Sequence, residues 1–73
     1  MYKISIEKRH RIEDFQEFYV ARCYSEINLL DSAVGDTIIQ ALTLLNNNVE
    51  HIISHKDKEE VYILIEEAIL TNV

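Results

Sequence analysis

Four consecutive side chains, Lys8, Arg9, His10 and Arg11, stand ahead of an aromatic-rich stretch, Phe15, Phe18, Tyr19 and Tyr24, with Arg22 one helical turn beyond Phe18. Cations beside ring faces can hold a nucleotide, the cations pairing with phosphate and the rings stacking on the base. Lys8, Arg9, His10, Arg11 and Arg22 are therefore the candidate anion-binding set for a small nucleotide or other phosphorylated ligand, held at an interface between copies. The plainer reading is a solvated or self-complementary charge run.

Other groups offer less. His51 and His55 are four apart, which on one helix sets two imidazoles on one face as half of a metal site. No Cys pair accompanies them, and Ile52 stands where an HEXXH motif requires glutamate, so cations at a helix end are the simpler account. Cys23 on an apolar stripe reads as a small core residue rather than a nucleophile. Glu59-Glu60 and Glu66-Glu67 are adjacent pairs whose members point to different sides of a helix, which is unsuited to a general acid and base facing one substrate. One glycine in the chain excludes a glycine-rich phosphate loop. The expectation is a protein that is no enzyme and has no cofactor.

Composition bounds what must position these groups. Seventy-three residues make one domain, 48% hydrophobic and 27% charged, too apolar for a disordered tail and without an apolar run long enough to cross a bilayer. One cysteine forms no internal disulfide and no charged-then-apolar signal opens the chain, so a cytoplasmic location is expected. Net charge is −6. Residues 1–11 carry four cations against Glu7, a formal +3, while residues 12–73 carry −9. The body lacks the wide basic face that broad nucleic-acid binding needs.

With no proline and only Gly35 to mark turns, the pattern predicts a mainly α fold, a small three-helix bundle with helices at roughly 11–34, 37–54 and 57–71. Residues 1–10 read as a basic arm, with period-two alternation over 2–7 that fits a short strand, a helical turn or an extended arm. Ile12, Phe15, Tyr19, Cys23, Ile27 and Leu30 form a helical stripe, ended by Gly35, with Asp36 capping the next helix. Ile38, Leu42, Leu45, Val49 and Ile52 repeat at four and three, and keep phase through Asn46–Asn48, so an unbroken second helix is preferred to a turn there. The third helix opens on Asp57, with Glu60 three residues on, and buries Val61, Leu64, Ile65 and Ala68.

Phe18, Tyr24, Ile63 and Leu70 fall outside these stripes. Their surplus apolar area predicts self-association into a dimer or larger assembly. The acids Glu59, Glu60, Glu66 and Glu67 beside them suit a basic protein partner. The functional expectation is thus a small interaction protein serving as a stoichiometric inhibitor or regulator. It fails if all four apolar residues are covered within one copy.

Overall fold

The computed structural model describes residues 1–51 and 54–72. Three antiparallel strands come first, β1 (Tyr2–His10), β2 (Glu17–Ser25) and β3 (Asn28–Gly35), followed by two helices, α1 (Ile38–Val49) and α2 (His55–Thr71). The sheet order is β1-β2-β3, a meander with β2 in the centre. The molecule is an α+β domain, and the expected three-helix bundle is overturned: residues 11–34 form two strands and their turns rather than a helix.

The physical reason lies in β2. Its alternate residues Tyr19, Ala21 and Cys23 face the helices, while Phe18, Val20, Arg22 and Tyr24 point the other way. Aromatic and β-branched side chains on both faces suit a central strand. Spacings of four, such as Tyr19 to Cys23, are also even, so a strand keeps these residues on one side just as a helix does. Nor is the basic segment an arm. β1 pairs with β2 along its whole length, from Tyr2 opposite Ser25 to His10 opposite Glu17.

Both hairpins turn without glycine. Phe15 (φ 59°) closes the β1–β2 loop, its amide donating to the Arg11 carbonyl at 2.9 Å, and Glu26 (φ 57°) starts the two-residue β2–β3 turn. Glycine or asparagine usually occupies such left-handed positions, which explains why the sequence shows no turn signal here. On β3 the register shifts opposite Cys23 and Tyr24, leaving Leu30 as the extra residue of a bulge.

Gly35 ends a strand rather than a helix, and Thr37 rather than Asp36 caps α1. The Thr37 hydroxyl accepts from the Gln40 amide at 3.1 Å, and the Gln40 side chain accepts from the Asp36 amide at 2.7 Å. Helix α1 runs unbroken through Asn46–Asn48 and stops at Val49; the expected continuation through Ile52 and Ile53 lies outside the described residues. Helix α2 begins earlier than expected, with Ser54 at its N-cap and Asp57 inside the first turn. Ser54 and Asp57 have the spacing of a capping box, but Ser54 donates its hydroxyl to the Asp57 carboxylate at 3.1 Å instead of accepting from an amide.

The core lies between one face of the sheet and the two helices. Ala41, Leu42, Leu45 and Val49 of α1, with Val61 and Ile65 of α2, close over Ala21, Cys23 and Ala33. Each fully buried leucine or isoleucine here contributes about 1.5–3 kcal/mol relative to exposure. Small residues at 21, 33 and 35 let α1 lie close to β2 and β3. The Tyr2 hydroxyl donates to Asp57 at 2.8 Å and so fastens β1 to α2.

Candidate functional site

The helices cover one side of the sheet only. On the open side, strand alternation and register gather Lys3, Ser5, Glu7 and Arg9 from β1, Phe18, Val20, Arg22 and Tyr24 from β2, and Leu29, Ser32 and Val34 from β3. Arg9 is opposite Phe18, Lys3 opposite Tyr24, Val20 opposite Val34, and Tyr24 opposite Leu29. Its apolar residues fall in two patches, Phe18, Val20 and Val34 towards one end and Tyr24 and Leu29 towards the other, parted by the row Ser5, Arg22 and Ser32. Val20 is buried even on this uncovered face, Phe18 and Tyr24 are half-buried, and Leu29 and Val34 are each 54% exposed. On this face Lys3, Arg9 and the central Arg22 outnumber Glu7, which makes a locally positive face on an acidic molecule.

The candidate anion-binding residues are divided by the pleat. Arg9 and Arg22 share the open face and converge on Glu7, Arg22 Nη1 at 2.7 Å and Arg9 Nε at 3.9 Å. The hydrogen bond from Arg22 holds the Glu7 carboxyl below the usual carboxylate range. Lys8 and His10 point to the other side and meet Glu17 at 3.1 and 3.5 Å, and Lys8 lowers the Glu17 carboxyl likewise. Arg11 sits at the base of the hairpin loop, where its backbone closes the turn with Phe15 and Gln16. A phosphorylated ligand would compete with Glu7 for Arg9 and Arg22 and with Glu17 for Lys8 and the His10 imidazole.

The expected partner surface is also split. Phe18 and Tyr24 belong to the open sheet face, whereas Ile63 (49% exposed), Leu70 (68% exposed) and the exposed Glu59, Glu60, Glu66 and Glu67 lie on α2, in the opposite layer. The four apolar residues are thus not all covered within one copy, but they make two surfaces rather than one. Leu29, Val34 and Lys3 complete the sheet face and were missed as site residues. They join the face only through the pairing of β1 and β3 with β2, which residue order alone does not give.

His51 follows α1 and His55 opens α2, so the two imidazoles share no helical face. Among the described residues no group of three or more His, Cys, Asp or Glu is gathered as a metal site. Cys23 is fully buried in β2 and burial pushes its thiol pKa up, away from the thiolate a nucleophile needs. The cleft beside the start of α1, about 430 Å³, is lined in part by Glu17, Tyr19, Asp36 and Thr37 and has no cation in its wall. Among the described residues no helix is long and apolar enough to cross a membrane. The chain matches no protein-family model, and no similar curated protein or solved structure was found.

Proposed function

We propose that the chain is a non-enzymatic protein-interaction module that self-associates and binds a partner protein, acting on it as a stoichiometric inhibitor or regulator. One observation carries the reading: a sheet covered by helices on one side only, whose open side leaves Leu29 and Val34 half exposed beside Phe18 and Tyr24. Exposed apolar and aromatic side chains set beside arginine are the composition of a protein-docking patch. Its cations, Lys3, Arg9 and Arg22, favour a partner surface with acidic margins.

The experiment compares the intact chain with its Tyr24→Glu variant, both checked for native circular dichroism, as bait for proteins of the source cell. A protein retained by the wild type, lost with the variant, and rebinding in purified form at one to one supports the reading. The same proteins retained by both baits refute docking through this face. A basic partner on α2 is the second reading, favoured by the exposed row Glu59, Glu60, Glu66 and Glu67. In that case neutralising the four acids slows association and flattens its salt dependence.

A further inference from the structure

The sheet has two edges, and they are built differently. Along β1 the edge carries Lys3, Glu7, Lys8, Arg9 and His10 in nine residues. Charged side chains are one means by which proteins keep an edge strand from pairing with other chains, whereas a helix packs on the inner face of both edge strands alike, α2 on β1 and α1 on β3. The β3 edge has neither a charge row nor a proline. Its eight residues, Asn28–Gly35, include one charge, Asp31, and sheet order gives the strand a pairing partner on one side alone. Its only irregularity is the Leu30 bulge, beyond which Asp31–Gly35 pair with β2 in unbroken register.

We propose that β3 pairs antiparallel with β3 of a second copy, joining two sheets into one of six strands. This rests on the self-association part of the function proposed above. The regular run Asp31–Gly35 has Ala33 at its centre, so a two-fold pairing about Ala33 sets Asp31 opposite Gly35 and Ser32 opposite Val34. Each pair then points to one side of the sheet, as antiparallel partners must. Asp31 meets no like charge, and the two Ala33 methyl groups meet on the helix side, leaving room for the α1 helices to approach. Leu44, 41% exposed, is on the flank of α1 turned away from Asn46, which lines the cleft shared with α2. It is placed to meet its counterpart above the joined strands.

The contact is small. The five paired residues Asp31–Gly35 span about 17 Å, and the smallest extent of the molecule is 19 Å. Their product is about 320 Å² per copy, roughly 650 Å² in all, the size of a weak, transient contact, so the dimer should form only towards the sub-millimolar end of concentration, with a dissociation constant on the order of 100 μM. Pairing also doubles the open face, setting two sets of Phe18, Tyr24, Leu29 and Val34 side by side.

Two double variants of the full chain test this. Ser32→Lys with Val34→Glu sets opposite charges across both symmetry-related pairs, and Ser32→Lys with Val34→Lys sets like charges there. Positions 32 and 34 are exposed, and the shared Ser32→Lys change makes its cost to the single copy common to both; circular dichroism checks that each folds. Sedimentation equilibrium from sub-micromolar to sub-millimolar chain should show a dimer for the wild type and for the Lys/Glu variant. The Lys/Lys variant should dissociate roughly ten- to thirtyfold more readily than the Lys/Glu variant. Amide exchange in Asp31–Gly35 should slow with concentration in the wild type and stay fast in the Lys/Lys variant. A wild type that remains monomeric throughout overturns both this inference and self-association. Equal dimerisation of all three chains overturns the β3 pairing while leaving self-association standing, and loss of the dimer in both variants overturns the pairing about Ala33.

Discussion

Replacing Gly35 with alanine places a methyl group where the first turn of α1 already lies. An ideal Cβ there would be 2.5 Å from the Ala41 nitrogen, 3.0 Å from the Ala41 Cα and 3.0 Å from the Gln40 carbonyl carbon. All three are backbone atoms, so no rotamer change relieves the clash and the helix start must retreat by about 1 Å to regain ordinary contact. Helix α1 carries Ala41, Leu42, Leu45 and Val49 into the core, all fully buried, so that retreat loosens the packing of sheet and helix together. Overpacking against an immovable neighbour costs about 3 kcal/mol, the upper part of the usual range. Alanine restricts the unfolded chain and returns about 0.5–1 kcal/mol. The net loss is about 2 kcal/mol, from a total of roughly 4–11 kcal/mol for a chain of this length, and lowers Tm by about 8–16 °C. Urea unfolding followed by circular dichroism and by the four tyrosines should show a lower midpoint at unchanged slope. Adding Ala41→Gly should not rescue the variant, because the obstructing atoms belong to the backbone. An unchanged or raised midpoint for Gly35→Ala, or rescue by Ala41→Gly, would refute the close approach of helix and strand.

Phe15 is 78% exposed at a positive φ, so Phe15→Gly relieves backbone strain while removing little packing, and the variant should be more stable by about 0.5–1 kcal/mol in urea; destabilisation would show that the ring supports the loop. The bonds from Tyr2 and Ser54 hold the Asp57 carboxyl below its ordinary 3.8, so its ionised form favours the fold at higher pH and that contribution fades as pH falls through the lowered folded value. In Tyr2→Phe the Asp57 titration seen by NMR should move up towards 3.8 and the acid-side loss of stability should become shallower, whereas an unmoved titration would remove the bond from the account. Tyr2 itself has the opposite sign: its hydroxyl is raised above 10.0 by the same bond, so its stabilising effect is present below that pH and lost as pH rises through the folded value.

Half of the architecture could be read from residue order. Helices expected at 37–54 and 57–71 are found at Ile38–Val49 and His55–Thr71, because Leu42, Leu45 and Val49, then Val61 and Ile65, recur at helical spacing and face a single core, while their ends carry no such periodic signal. The strands at 17–35 were hidden by two physical circumstances. Central strand β2 is apolar on both faces apart from Arg22, so the alternation that reveals a half-exposed strand is absent. The turns that separate the strands use Phe15 and Glu26 in left-handed conformations, and neither residue type marks a turn. The site suffered accordingly. The structure divides the expected set: Arg9, Arg22, Phe18 and Tyr24 share one face, with Arg9 and Tyr24 towards opposite ends of it, and the pleat that sends Lys8 and His10 to the other face follows only from knowing that residues 2–10 form a strand.

The hydrogen bond between Tyr2 and Asp57 joins residues 55 positions apart, and it ties an early strand to the last helix. The two hairpins join segments that are close in the chain, whereas the inner face of β1, with Tyr2, Ile4 and Ile6, stays bare until α2 docks on it. Closing the core therefore depends on a contact of high sequence separation, which is the slower kind to form.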